Sequence, residues 1–459
     1  MSAESHDTDL EHGWQPARLI PTSGIRGADE QERRATSALL AVMMAVPEFS
    51  RTLLKKVQAP AGTLRTYIEP SFPQETGKHS RPDGALVVKR GKTQWIGLVE
   101  VKTGTQGLDR QQIEDYLDIA RDHEFDCVLT ISNQFKTASE PHPVVVDRRK
   151  IKKVDLHHWS WIEILSEAVV QREHRGVSDP DQAWILDELI AYLENPQSGA
   201  MQFQDMGSQW VSVRDSARDG TLRVNDPGVD DVVARWDEMI RYLCLLLGRD
   251  LGVEVTRVLS RKERLDPSAH RAESSRLLAE EGMLSGTMRI PHVAGDIALA
   301  ADLRSRRVTA SANVPAPSDG RPLTRIRWLT RQLREAPDHL RVDVAFSGVR
   351  HTTSSMLGDV RDDAKPLLSD DQSKTPKGFV VSISDDMGTK RGGEGSFVAE
   401  ATRLLLDFYR TVVQEIKPWT AGAPRLKTGV KSGSEAGDSN DGIGSASENP
   451  SSDENIVAS

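Results

Sequence analysis

The chain has 459 residues, 37% of them apolar and 28% charged, with a net charge of −9. That length exceeds one compact core, so two or three domains are expected, and the acidic balance argues against a protein that coats nucleic acid generally. Much of the charge is local, because residues 429–459 carry six carboxylates against Lys431, which leaves −4 on the body.

The first 27 residues read as an extension without a basic-then-apolar leader. The acid-rich run Asp29-Glu30-Gln31-Glu32 opens a helix closed by Pro47, and a second short helix is predicted over 49–57. Strands are predicted at 64–69, 85–89 and 95–102, the last two joined by a Gly91-Lys92 turn. A helix over 109–122 and a buried strand over 127–132 complete the series.

Candidate chemistry sits in the third of these strands. Glu100 and Lys102 stand two apart in a β-branched run, so both project from one face while Val101 turns to the core. Asp83, in the run Pro82-Asp83-Gly84, lies one hairpin away and is expected to join them at a solvent-facing sheet edge. Singly these residues are ordinary, since Glu-x-Lys pairs are frequent on solvated strands and Pro-Asp-Gly is a turn sequence. Together, the two carboxylates can hold a hard cation, and the lysine can help deprotonate water or balance phosphate charge.

The order Pro82-Asp83 … Glu100-Val101-Lys102 resembles the PD-(D/E)xK nuclease superfamily, over about residues 28–170. On the following helix, Gln112 and Tyr116 match the Q-x-x-x-Y signature of some branches, and their spacing puts both on one helix face. Helix, three strands, helix, strand is the common core of that superfamily. The resemblance implies an α/β, restriction-endonuclease-like fold and Mg²⁺-dependent hydrolysis of DNA phosphodiester bonds, with Mn²⁺ as a substitute and a 5′-phosphate product. It implies Asp83, Glu100 and the Val101 carbonyl as metal ligands, Lys102 as the group that positions or activates water, and Gln112 and Tyr116 as orienting groups. Superfamily members often add a glutamate from the first helix, which points to Glu32 with Glu69 as its rival. The plain reading of Glu32 is an acid favoured at a helix N-terminus. His79 reads as a loop residue. RNA cleavage is an alternative, as is a non-catalytic binding or scaffold protein that keeps the fold. Roles among such proteins include restriction, phage defence and repair.

Beyond this region a helix over 159–170 is expected to pack back on the first domain, and another over 178–193 is closed by Asn195-Pro196. Residues 197–226 read as a connector. The helix over 229–247 carries Val232, Val233, Trp236, Met239, Ile240 and Leu243 on one stripe. A hairpin (297–302 and 308–314), an Arg-rich helix over 322–335, strands at 340–346 and 378–384, and a last helix over 396–416 follow. The expected division is an extension (1–27), a nuclease-like domain (28–175), a helical connector (176–225), a separate C-terminal α+β domain (226–418) and a disordered acidic tail (419–459). A fragment of residues 1–175 is expected to carry the chemistry by itself.

Two basic clusters are candidates for phosphate contact, Arg148-Arg149-Lys150 with Lys152-Lys153, and Arg325, Arg327, Arg331 and Arg334, although charge runs are usually solvated faces. Cys127 and Cys244 read as small apolar fillers, not as a disulfide or zinc ligands. The run from Gly388 to Ser396 lacks the Gly-Lys-Ser/Thr ending of a phosphate loop and places Glu394 there, so it reads as a mobile loop. The longest apolar stretch is too short to span a membrane. A cytoplasmic protein with DNA as its partner is expected, with a homodimer or partner proteins left open.

Overall fold

The computed structural model describes residues 15–16, 19, 28–73, 79–135, 142–200, 203–371, 373–388, 390 and 393–420. The tail expected to be disordered lies outside these residues, apart from Trp419 and Thr420, as do most of the 1–27 extension and positions 389, 391 and 392 of the expected mobile loop. The described chain is a mixed α/β structure with two large sheets. Among the described residues no single helix is long and apolar enough to cross a membrane.

Pro47 divides the first helical run. Helix α1 (Ala28–Ala45) stops before it and α2 (Pro47–Lys56) starts on it, the two set at 110°. A proline disfavours helical backbone in the residue before it, and Val46 is accordingly extended, whereas at a helix's first position its missing N–H is no loss.

The first sheet takes its strands from β1 (Gln15–Pro16), β2 (Thr63–Ile68), β5 (Gly84–Arg90), β6 (Thr93–Val101), β7 (Cys127–Ser132) and β8 (Asp155–Ser160), in the order β1-β2-β5-β6-β7-β8. The short pair β3 (Phe72–Pro73) and β4 (His79–Ser80) lies apart. Strands β1 to β6 pair antiparallel, while β6, β7 and β8 are parallel. A parallel pair needs a crossover, and α3 (Arg110–Asp122), capped by Asp109 accepting from the Gln112 amide, provides the one between β6 and β7.

Strand β8 occupies residues where a helix was expected to begin, at 159. The switch falls at Ser160, whose Oγ accepts from the Glu163 amide while Glu163 accepts from the Ser160 amide. That reciprocal cap starts α4 (Trp161–Val169) directly off the strand. A π-helical turn, Val170–Arg175, continues α4. Helix α5 (Pro180–Glu194) matches expectation, whereas α6 (Trp210–Arg218) lies inside the stretch read as a connector and buries Trp210, Val213 and Ala217.

Helix α7 (Val229–Leu251) leads through β9 (Thr256–Arg257), α8 (Arg261–Leu265) and α9 (Pro267–Glu281) into the second sheet. Its other strands are β10 (Met283–Arg289), β11 (Ile297–Asp302), β12 (Arg307–Pro315), β13 (Arg341–Phe346), β14 (Thr352–Met356) and β15 (Pro376–Asp386), in the antiparallel order β14-β13-β15-β12-β11-β10-β9. Between them lie α10 (Pro322–Gln332) and α11 (Leu357–Val360), and α12 (Phe397–Thr411) closes the body. Alternate residues of each long strand are buried beneath α7, α10 and α12.

The boundary expected near residue 226 is not a break in packing. Helix α7 packs against α4 on one side and β10 on the other, and one apolar core runs from Leu39 and Val42 of α1 through Trp161 and Trp236 to Phe379 and Phe408. The body through Trp419 is one compact unit. A second, smaller core lies between the first sheet and α3, built on Val87, Leu98, Ile113, Leu117 and Val128.

Candidate active site

Strand register builds the site. Gly84 pairs with Val99 across β5 and β6, so one further step sets Asp83 opposite Glu100. The Val101 N–H, beyond the end of β5, donates to Asp83 Oδ2 at 2.7 Å. A residue's N–H and C=O project to the same side of a strand, so the Val101 carbonyl turns toward the same end. Glu100 shares the face of Leu98, the one covered by α3, and is 1% exposed. Lys102 Nζ lies 2.8 Å from Glu100 Oε1 and 3.3 Å from Glu32 Oε2. The expected solvent-facing edge is therefore a buried one, because α3 covers it and α1 brings Glu32 over its end.

Burial pushes the Asp83 carboxyl up to about 8, and the Glu100 charge adds to the push against the Val101 hydrogen bond. Burial also raises Glu100, with Lys102 pulling the other way, and raises Glu32 for the same reason. Burial works against the Lys102 ammonium, yet Glu100, Asp83 and Glu32 together hold it above the usual amine range. Adjacent buried carboxyls resist joint ionisation. Among the described residues, neither oxygen of Glu100 nor Oε1 of Glu32 takes a well-directed hydrogen bond, the Lys102 ammonium meeting Glu100 Oε1 as an ion pair. Deprotonated, these crowded carboxyls have the oxygen chemistry that a hard cation takes, although the Lys102 ammonium already faces Glu100 Oε1. Among the described residues, however, no group of three or more His, Cys, Asp or Glu side chains stands ready to hold a metal ion.

Tyr116 is buried and its hydroxyl donates to the Arg81 carbonyl at 3.2 Å while accepting from Gln112 Nε2 at 3.1 Å. These two residues thus brace the backbone two positions before Asp83. Burial, then the charge of Glu100, pushes the Tyr116 phenol up, so it keeps its proton. Glu69 is drawn instead to Arg33, whose Nε donates at 3.0 Å, and to Arg81 at 3.8 Å. Of the two rival glutamates, the one beside Lys102 is Glu32. His79 lies in β4, and its side chain is outside the described residues.

The wall of the site comes from segments that sequence reading did not connect. Thr103 Oγ1 donates to Gln31 Oε1 at 3.0 Å, and Gln31 Nε2 donates to the Gln197 carbonyl at 2.7 Å. The Gly199 carbonyl accepts from the Gly104 amide at 2.9 Å and from Asn133 Nδ2 at 2.7 Å. Gly199 has φ of +80°, and a Cβ there would stand 2.7 Å from both Gln31 Cδ and Thr103 Cβ. Trp161 Nε1 donates to the Lys102 carbonyl at 2.9 Å. No local signal pairs residues 31, 103 and 199, since only the tertiary fold brings them together.

The polar row continues past Glu100, whose register partner is Thr130, itself paired with His158. Thr130 Oγ1 lies 2.8 Å from His158 Nδ1 and 2.8 Å from His142 Nε2. His158 Nε2 faces the Gln134 carbonyl at 2.9 Å, so it carries the proton and Nδ1 accepts from Thr130. His142 Nδ1, at the other side of its ring, lies 3.0 Å from both the amide nitrogen and the carbonyl oxygen of Val144.

Neither basic cluster borders the carboxylates. Lys150 is tied to Asp118 at 2.6 Å, and Lys152 and Lys153 precede β8, whose first residue pairs with Cys127 at the far end of the sheet from Val101. Arg325 donates to the carbonyls of Ser318, Gly320 and Pro376, bracing a loop. Comparison with protein-family models, curated proteins and solved structures gives no match.

Proposed function

We propose that the chain is a metal-dependent nuclease that hydrolyses DNA phosphodiester bonds on a restriction-endonuclease-like core made by α1, β2, β5, β6, α3 and β7. The observation that carries the reading is the register pair of half-buried Asp83 and buried Glu100, with the Lys102 ammonium 2.8 Å from Glu100 and Glu32 on the same ammonium. Asp83, Glu100 and the Val101 carbonyl would hold Mg²⁺, which supplies Lewis-acid stabilisation of phosphate charge and a more acidic water. Glu100 and Glu32, both on its ammonium, favour the charged form of Lys102, so the part proposed for it is to orient water and balance phosphate charge. Glu32, a carboxyl with a raised pKa on the same ammonium, is suited to take a proton from that water. Gln112 and Tyr116 hold the turn that presents Asp83.

A second reading, a binding or scaffold protein that keeps the fold, has one observation in its favour: Lys102 already offsets the charge of Glu100 and Glu32 without a cation. Incubating the full chain with supercoiled, linear and single-stranded DNA and with RNA, in Mg²⁺, Mn²⁺ or EDTA, separates the two. The nuclease reading expects DNA cleavage in Mg²⁺, none in EDTA, and a loss of at least about 10²-fold in Glu100→Gln. Cleavage that survives Glu100→Gln sinks the site assignment. No cleavage of any substrate, with no Mn²⁺ bound in titration calorimetry, leaves the scaffold reading standing.

A further inference from the structure

We propose a second ligand site, a pocket for a nucleoside phosphate, at the seam between the parts of the body that carry the two sheets. A cavity of about 830 Å³ lies there, bounded by α2, α4 and its π-helical turn, α7 and the chain entering β9. It shares no residue with the carboxylate site. The volume falls within the usual range for small-molecule pockets.

Its lining is biased toward an anion. Lys55, Lys56, Arg175, Arg241, Arg249 and Arg257 stand against four lining carboxylates, Glu163, Glu167, Asp237 and Glu254, and against Asp250, which meets Arg249 at 2.9 Å just outside the lining, an excess of one positive charge. Acids and cations are largely paired with one another: Glu167 with Lys56 at 3.2 Å and with Arg175, Asp237 with Arg257 at 2.6 Å, and Glu163 with Arg241 at 3.7 Å. Lys55 has no ion-pair partner among the described residues. Arg257 is fixed in place: its nitrogen that donates to Asp237 at 2.6 Å packs 2.9 Å from His270 Nε2, and His270 Nδ1 lies 2.8 Å from Glu263. A rigid guanidinium with further N–H groups is a good anchor for phosphate oxygens.

Two more observations point to a ligand. Ser166, on the cavity wall and 6% exposed, has a buried hydroxyl with no hydrogen-bond partner among the described residues. Such orphans are rare and mark a strained, wet or functional spot, and this one lies directly behind the cavity wall. The wall also includes the π-helical turn, a rare conformation frequent at functional sites. Beside the cations lie Val170, Leu245, Val253 and Val255, an apolar surface that inorganic phosphate leaves uncovered. A charged end and an apolar body together describe a nucleotide-sized organic phosphate.

The test is titration calorimetry of the full chain with ATP, AMP, pyrophosphate and a single-stranded oligonucleotide, all in EDTA so that the carboxylate site takes no metal. Lys55→Ala and Ser166→Ala are the variants, since the first side chain is exposed and unpaired and the second hydroxyl is unsatisfied, so neither change threatens the fold. Expected are one equivalent of ATP or AMP bound, pyrophosphate about tenfold weaker, and a loss of roughly fivefold in each variant. No nucleotide binding, pyrophosphate binding as tight as ATP, displacement by the oligonucleotide at lower concentration than ATP, or unchanged affinity in both variants each overturns the proposal. Cleavage is not read in this experiment, so its outcome is independent of the nuclease assignment.

Discussion

At Asp83, the raised carboxyl pKa ties stability to pH. Its contribution is fully present below the unfolded value of about 3.9 and is lost as pH rises through the folded value of about 8. In EDTA the protein should therefore lose stability between these limits on account of this group. Asp83→Asn keeps an acceptor for the Val101 amide and removes the ionisation. It should flatten the profile and stabilise the metal-free protein by about 1–3 kcal/mol at pH 8.5, read from urea midpoints. Superimposable profiles for variant and wild type would show that Asp83 does not hold the proton. Removing Lys102 is a poorer probe of chemistry, because stranding two buried carboxylates costs about 3–5 kcal/mol. Glu100 and Lys102 were legible because a strand has period two, and Asp83 because a short hairpin returns it. Their burial was not, since α3 and Glu32 arrive from elsewhere in the fold.

Elements were legible where local preference and final environment agreed. β-Branched runs gave β5, β6 and β7, and the 3.6-residue stripe gave α7, all near their observed bounds. Strand β8 escaped because Leu156, His157 and His158 show no alternation and the capping Ser160 sits at its end. Strand β10 escaped because Gly286 interrupts it, and the structure supplies the reason: a Cβ there would stand 2.5 Å from Ile240 Cγ1, where α7 crosses the sheet. At the site wall, Gly199 combines a left-handed backbone with close approach to α1 and to the segment after Lys102. Gly199→Ala should destabilise by roughly 1–3 kcal/mol and speed hydrogen exchange at the Gly104 amide, which donates to residue 199. An unchanged melting temperature together with unchanged exchange at Gly104 would mean that this turn does not hold the wall in place.

For the whole molecule, the seam decides how the chain unfolds. Sequence reading placed separable domains on either side of residue 226, because the composition changes there and the connector looks polar. Packing does not respect that division: α5 lies against α1 and α4, and α7 lies against α4, in one continuous apolar core. A fragment ending at residue 175 loses both covering helices and leaves Ile164, Leu165 and Ala168 of α4, buried in the full chain, facing water. Apolar burial contributes about 25 cal/mol per Å², so a few hundred Å² of new exposure is comparable to a domain's net stability. The 1–175 fragment should therefore keep far-UV but lose near-UV circular dichroism, and it should bind ANS. The full chain should unfold in a single calorimetric transition, with its calorimetric and van't Hoff enthalpies equal. A fragment with a sharp melt and native near-UV signal would restore the two-domain division. It would also make the cavity between α4 and α7 an ordinary domain interface, able to open without unfolding either half.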